Sequence, residues 1–115
     1  MRYIYSFLFL LCIAFASNAQ TWLLPDTSGG RYCSEIFTNV TTTANITYGQ
    51  AMNINNSNQV LQLDIYSPTG DTVSHKPVVI LAHGGSFISG SRTSPDVVTL
   101  CTRLAKMGYV AVSIS

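Results

Sequence analysis

The stretch Val78–Arg92, VVILAHGGSFISGSR, constrains the architecture more than any other part of this 115-residue chain. It opens with a continuous apolar run, which predicts a central strand covered on both faces. The run ends at His83. Gly84 and Gly85 follow directly, so the backbone can turn sharply and present bare N–H groups to a ligand. Such groups can stabilise an oxyanion as a carbonyl becomes tetrahedral, although paired glycines are also common in a plain strand-to-helix turn.

A helix and a second strand are predicted after this loop. The sequence Ser94-Pro95-Asp96 supplies an N-cap residue, a proline at the first helical position and an acid in the first turn. An apolar face recurs at helical spacing, and Gly108 predicts the end of the helix. That face comprises Val97, Leu100, Cys101, Leu104 and Ala105. Residues 109–115 then favour a strand, so the order of elements predicts a crossover unit with two parallel strands.

Upstream, the sequence predicts an extended strand, a turn and a half-buried strand. Residues 38–48 are rich in threonine and β-branched side chains, and residues 53–58 form an Asn/Ser cluster typical of a turn. Apolar and polar side chains alternate over residues 60–66. The side chains predicted to face the core are Leu61, Leu63 and Ile65. Asp64 and Asp71 are interpreted as a solvated pair and not as an acid/base couple.

Residues 1–19 have the pattern of a signal peptide. Arg2 gives a positive start, a short apolar stretch follows, and small residues precede Gln20. The alternative is an N-terminal anchor or a buried helix, but the apolar stretch is too short for an untilted membrane span. The predicted organisation is a signal peptide at 1–19, a lead-in at 20–37 and part of one domain at 38–115. We therefore expect a secreted or periplasmic protein with no stable membrane span after cleavage.

Export changes the interpretation of the cysteines. After cleavage only Cys33 and Cys101 would remain, in a compartment that permits disulfides. A bridge between them would contribute roughly 4 kcal/mol on the chain-entropy model. The alternative is two buried thiols, because Cys101 lies on the apolar side of the predicted helix.

The balance of charge excludes one broad class of function. Six Lys and Arg residues against five Asp and Glu residues give a formal net charge of +1. Nucleic-acid binders usually carry a clustered basic surplus, so we expect no nucleic-acid partner. The sequence contains no Cys/His cluster with zinc spacing and no phosphate-cradling glycine loop, so neither a metal nor another cofactor is expected.

Four segments, taken in order, are LQLDIYSP, PVVILAHGGSF, a capped helix ending in LAKMGYV, and AVSIS. They resemble the carboxylesterase and lipase branch of the α/β-hydrolase family. The resemblance implies the N-terminal part of an α/β-hydrolase fold, with a mostly parallel sheet. It also implies an oxyanion hole made by the backbone N–H groups of Gly85 and Ser86. In that comparison His83, Gly84 and Phe87 shape the loop.

The resemblance implies that the catalytic triad lies outside these residues. The nucleophile elbow Gly-x-Ser-x-Gly is absent, because Ile88 stands where its second glycine should be. In this family the triad follows the order Ser, acid, His, so His83 is not the base. We expect nucleophile, acid and base beyond Ser115, and the 115 residues to be inactive alone. The expected function is hydrolysis of a small-molecule carboxylic ester by acyl transfer. A secreted peptidase of the same fold and a non-catalytic binding relative are the alternatives.

Overall fold

The computed structural model describes residues 27–86 and 89–115. The predicted signal peptide and Phe87 lie outside the described residues. Within them, a short 3₁₀ turn at Ser28–Gly30 precedes four strands and one α-helix. In chain order these elements are β1 (Val40–Met52), β2 (Asn58–Pro68), β3 (Val78–Ala82), α1 (Pro95–Lys106) and β4 (Val110–Ile114).

The four strands form one mixed sheet in the order β1-β2-β4-β3. β1 pairs antiparallel with β2, and β2 pairs antiparallel with β4, whereas β3 and β4 are parallel. The prediction of a mostly parallel sheet, as the N-terminal part of an α/β-hydrolase fold, is therefore wrong. The predicted parallel arrangement is confined to β3 and β4, the two strands that α1 connects. β1 and β2 are joined by a short turn at residues 53–57, and a parallel crossover needs about a dozen residues or more.

That turn is built by asparagine, as the Asn/Ser cluster predicted. The side-chain Oδ1 of Asn53 accepts hydrogen bonds from the N–H groups of Asn55 and Ser57, at 2.9 and 3.0 Å. The backbone N–H of Asn53 in turn donates to Ser57 O at 2.9 Å. Local side-chain acceptors of this kind stabilise a reversal of the chain. The turn therefore joins β1 and β2 as an antiparallel pair, which a mostly parallel sheet would not contain.

α1 begins where the capping signal predicted and covers one face of the sheet. Val97, Cys101 and Ala105 are buried against it. Leu100 is 48% exposed, so its assignment to the buried face is wrong. The side chain of Ser94 does not cap the helix; its Oγ instead accepts the Ser91 N–H at 3.2 Å. The predicted cap residue thus orders the loop that precedes the helix.

The buried face of β2 is the opposite of the predicted one. Asp64 and Tyr66 are only 3% and 5% exposed, whereas Leu61, Leu63 and Ile65 are half-buried. Asp64 and Tyr66 pair with the two fully buried β4 residues, Ser113 and Ala111. All four belong to the face beneath α1. The alternation of polar and apolar residues predicted that Asp64 faces solvent. Asp64 can occupy a core position because its carboxylate is paired with Arg92.

β3 lies at the edge of the described sheet, and one of its faces is uncovered. Val78 and Ile80 are 59% and 65% exposed. The continuous apolar run had predicted cover on both faces, which is wrong for the residues described, because α1 packs against one side only. The strand itself has the predicted bounds at its apolar run.

The part of the lead-in that the structure describes is fixed to the C-terminal end of α1. Tyr32 N donates to Met107 O at 2.8 Å, and Ile36 N donates to Lys106 O at 3.0 Å. Arg31 forms a two-pronged ion pair with Asp71, at 2.8 and 2.9 Å, and the Asp71 side chain is only 2% exposed. Asp71 and Asp64 are therefore two separately paired buried carboxylates, and their interpretation as a solvated pair is wrong.

Candidate active site

A cleft of about 340 Å³ opens at the carboxyl ends of β3 and β4. Because these strands are parallel and Ala82 pairs with Ile114, both strands end at the same edge of the sheet. Ligands of open sheets commonly bind outside the carboxyl ends of parallel strands. The residues that line the cleft are Ala82, His83, Gly84, Gly85, Ser86, Ile114 and Ser115. The structure thus brings four of the five residues predicted for the oxyanion loop to one cleft.

Two consecutive residues of the loop have left-handed backbone conformations. φ is +130° at Gly85 and +54° at Ser86. Neither backbone N–H donates a hydrogen bond to any atom in residues 27–86 or 89–115. Successive N–H groups in a turn of this kind form a concavity suited to a negatively charged oxygen. Ser86 adopts a conformation that glycine takes without penalty, although the left-handed region is open to other residues.

The loop folds back on itself so closely that two positions require glycine. A Cβ atom at Gly85 would lie 1.8 Å from Ser89 O, and Ser89 N donates to Gly85 O at 3.1 Å. A Cβ atom at Gly90 would lie 2.1 Å from Gly84 O and 2.4 Å from the Nδ1 atom of His83. The second half of the loop therefore packs directly on the first half. The conformation of Gly85 depends on where Ser89 and Gly90 lie.

His83 is turned along the loop. Its Nδ1 atom lies 2.9 Å from Gly84 O. Because a carbonyl oxygen only accepts, this contact places the imidazole proton on Nδ1. In the described part of the chain no carboxylate pairs with the ring. This environment supports the predicted loop-shaping role, and the role itself stays a prediction.

The sequence interpretation missed a polar network beside the loop, which is buried at Asp64 and exposed at Asn45. Asp64 Oδ1 accepts the Arg92 Nε–H at 3.0 Å and the backbone N–H of Asn45 at 2.8 Å. The Nη2 group of Arg92 also donates to Asn45 Oδ1 at 2.5 Å. The side chains of Arg92 and Asp64 are only 14% and 4% exposed. The one available signal was a carboxylate in the middle of a strand that is otherwise mostly apolar, with an arginine at the end of the glycine loop.

A bulge in β1 makes this network possible. Thr43 pairs with Ile65 and Ile46 pairs with Leu63, so two β1 residues, 44 and 45, stand opposite Asp64. Asn45 has φ of +62°, a conformation that asparagine tolerates better than most residues. In the bulge, Asn45 directs both its backbone N–H group and its side-chain oxygen towards the network.

The two cysteines are free in the structure. Cys101 is fully buried on the face of α1 that packs against the sheet, and burial raises the pKa of its thiol. Cys33 is exposed in the lead-in segment, which contacts the C-terminal end of α1. The structure therefore gives no support to the predicted bridge, because one sulfur faces the core and the other faces solvent.

Residues 27–86 and 89–115 contain no group of three or more His, Cys, Asp or Glu side chains that could hold a metal ion. No helix in this same part of the chain has the length and apolar character needed to cross a bilayer.

Comparison with known proteins finds sequence similarity to esterase-type proteins, and the family match includes the glycine loop. The family described as BD-FAE matches residues 63–115, which include β3, the glycine loop, α1 and β4. Carboxylesterase 3B of Mus musculus is 40% identical over 67 residues, which cover 48% of this chain. Both matches support an α/β-hydrolase-type carboxylesterase family. The present chain spans 12% of the mouse relative's length. No solved structure gives a significant match.

These similarities concern the sequence, and they coexist with the mixed sheet. The matched segment begins inside β2, so β1 and the hairpin turn lie outside it. Those outer elements contribute the longest antiparallel pairing of the sheet, whereas the antiparallel pairing of β2 with β4 lies inside the matched segment. The candidate oxyanion loop and the cleft lie wholly inside the matched segment.

Proposed function

We propose that this chain forms part of a serine hydrolase that cleaves small carboxylic esters by acyl transfer, and that it supplies the oxyanion hole. The observation that carries the proposal is the turn at Gly85 and Ser86. Two successive N–H groups, with no acceptor among the described residues, lie in a loop that lines the cleft. The similarity to the esterase family supports the same reading.

The chemistry follows from where charge develops. When a nucleophile adds to an ester carbonyl, the carbonyl oxygen gains negative charge, and N–H groups already oriented towards it lower the barrier. The turn is held by its own backbone contacts, so it need not reorganise during the reaction. The remaining catalytic groups, a serine nucleophile with an acid and a histidine base, are proposed to come from other parts of the full-length protein.

The first experiment uses the full-length protein with p-nitrophenyl acetate and its amide counterpart, p-nitroacetanilide. We expect hydrolysis of the ester, little hydrolysis of the amide, and loss of activity on treatment with a fluorophosphonate. Mass spectrometry should then locate the phosphonyl group on a serine outside residues 1–115. Preferential amide hydrolysis would favour a peptidase, and a folded protein that does neither reaction would favour a non-catalytic relative.

The proposal includes export of the protein. The charged start, short apolar stretch and small residues of positions 1–19 support it. N-terminal sequencing of the protein recovered from the medium or periplasm should begin at Gln20. Recovery of the intact N-terminus from the cytoplasm alone would contradict this part of the proposal.

A further inference from the structure

The glycine loop is attached to the sheet at both ends, by different means. At its start, His83 follows β3, whose pairing with β4 fixes the backbone up to Ala82. At its end, Arg92 donates to the buried carboxylate of Asp64 and, at the surface, to the side chain of Asn45. α1 begins only three residues later, at Pro95. The loop between these two attachments contains the whole of the proposed oxyanion hole.

The position of Arg92 is transmitted to the oxyanion hole through backbone contacts. Gly90, two residues before Arg92, packs on Gly84, and Ser89 packs on Gly85. These contacts are too close to permit a Cβ atom at Gly85 or at Gly90. A displacement at Arg92 would therefore move the residues against which the Gly85 turn rests.

We propose that Arg92 is a positioning residue for the oxyanion hole, and that Asp64 and the bulge residue Asn45 hold it in place. The proposal rests on the function proposed above. Arginine suits the task because its planar guanidinium directs Nε to one acceptor and Nη2 to another. Lysine has a single flexible ammonium and could keep the charge without holding both contacts.

A second buried ion pair provides a matched control. Arg31 and Asp71 are as close as Arg92 and Asp64, and both pairs have largely buried side chains, although Asp71 also lies 3.4 Å from the Nζ atom of Lys76. Arg31 fastens the lead-in and does not line the cleft. Loss of a buried pair should cost stability in either case. A purely structural role for Arg92 would make the two substitutions equivalent in activity.

The experiment compares Arg92→Lys with Arg31→Lys in the full-length protein, using the steady-state kinetics of ester hydrolysis by the folded fraction. We expect Arg92→Lys to lower kcat about tenfold with little change in KM, because small displacements of reacting groups cost rate more than binding. Arg31→Lys should leave kcat unchanged. Asp64→Asn, which keeps the shape of the side chain, should resemble Arg92→Lys and serves if the latter folds poorly. Wild-type kcat in both Arg92→Lys and Asp64→Asn, or an equal loss in Arg31→Lys, would overturn the proposal.

Hydrogen exchange separates this proposal from the catalytic one. In the same variants, mass spectrometry should show faster amide exchange in peptides covering residues 83–92 for Arg92→Lys, but not for Arg31→Lys. This readout does not require enzymatic activity. If the wild type cleaves no ester, the proposed function fails, and the positioning role fails only if exchange in this segment is unchanged.

Discussion

Replacing Gly85 with alanine should disable the loop, whereas the same change at Gly84 should be tolerated. A Cβ atom at Gly85 would lie 1.8 Å from Ser89 O, whereas ordinary van der Waals contact begins at 3.4 Å. The two halves of the loop would therefore have to separate by about 1.6 Å. The φ of +130° also lies in a region that alanine avoids. At Gly84 a Cβ atom would meet nothing within 4 Å.

The size of the effect follows from the displacement. A misplacement of about 1 Å can cost roughly 10²-fold in rate, and loss of one oxyanion donor costs roughly 10²–10³ in kcat. If the proposed activity holds, we expect Gly85→Ala in the full-length protein to lose at least about 10²-fold in kcat on an aryl ester, and Gly84→Ala to stay close to wild type. Thermal melts of both variants would establish that the comparison is between folded proteins. Wild-type kcat in folded Gly85→Ala would refute the assignment of this loop, as would equal losses in the two variants.

Three further outcomes are expected. Ser86→Ala should keep most of the ester-hydrolysing activity, since only its backbone N–H is used; a loss as complete as that of a nucleophile knockout would give the hydroxyl a chemical role. Alkylation followed by peptide mapping should label Cys33 rapidly and Cys101 only on unfolding, because burial raises the pKa of the second thiol; protection of both in the folded, unreduced protein would instead indicate a bridge. The hydrogen bonds from Arg31 hold the pKa of Asp71 at about 2, below its ordinary 3.8, so this carboxylate stabilises the fold above about pH 4 and that contribution is lost as pH falls towards 2. Urea unfolding between these pH values should show a decline of up to about 2 kcal/mol that Asp71→Asn removes, and an identical decline in the variant would contradict the assignment.

Local signals predicted most of the elements but not their assembly. The apolar run gave β3, the Ser-Pro-Asp signal gave the start of α1, and the Asn/Ser cluster gave the turn of the hairpin. These features depend on a few adjacent residues, so sequence can reveal them. The direction in which β1 and β2 join the sheet depends on pairing between distant strands. A short turn is typical of an antiparallel pair, whereas the family resemblance implied a mostly parallel sheet.

The error in β2 has a more specific cause. Alternation assigned the apolar side chains to the core, but α1 lies over Asp64 and Tyr66. In a sequence pattern, a buried carboxylate cannot be distinguished from an exposed one unless its partner is known. The partner of Asp64 is Arg92, 28 residues away in the sequence. The glycine loop after β3 could be predicted because its glycines and their place after a strand lie within one segment, and its role as an oxyanion hole stays a prediction. The attachment of this loop could not be predicted, because it joins β1, β2 and the end of the loop, which only the fold brings together.

The attachment also links the hairpin to the proposed oxyanion loop. Asp64 and Arg92 lie within the segment that matches the esterase family, but Asn45 lies outside it, on β1. Asn45 closes the network with two groups at once, a backbone N–H to Asp64 and a side-chain oxygen for Arg92. Without the bulge, one residue instead of two would stand opposite Asp64, and the strand would have to present both groups from a regular pleat. The irregular pairing of β1 therefore bears on the proposed site, because it completes the set of acceptors for Arg92 at the end of the proposed oxyanion loop.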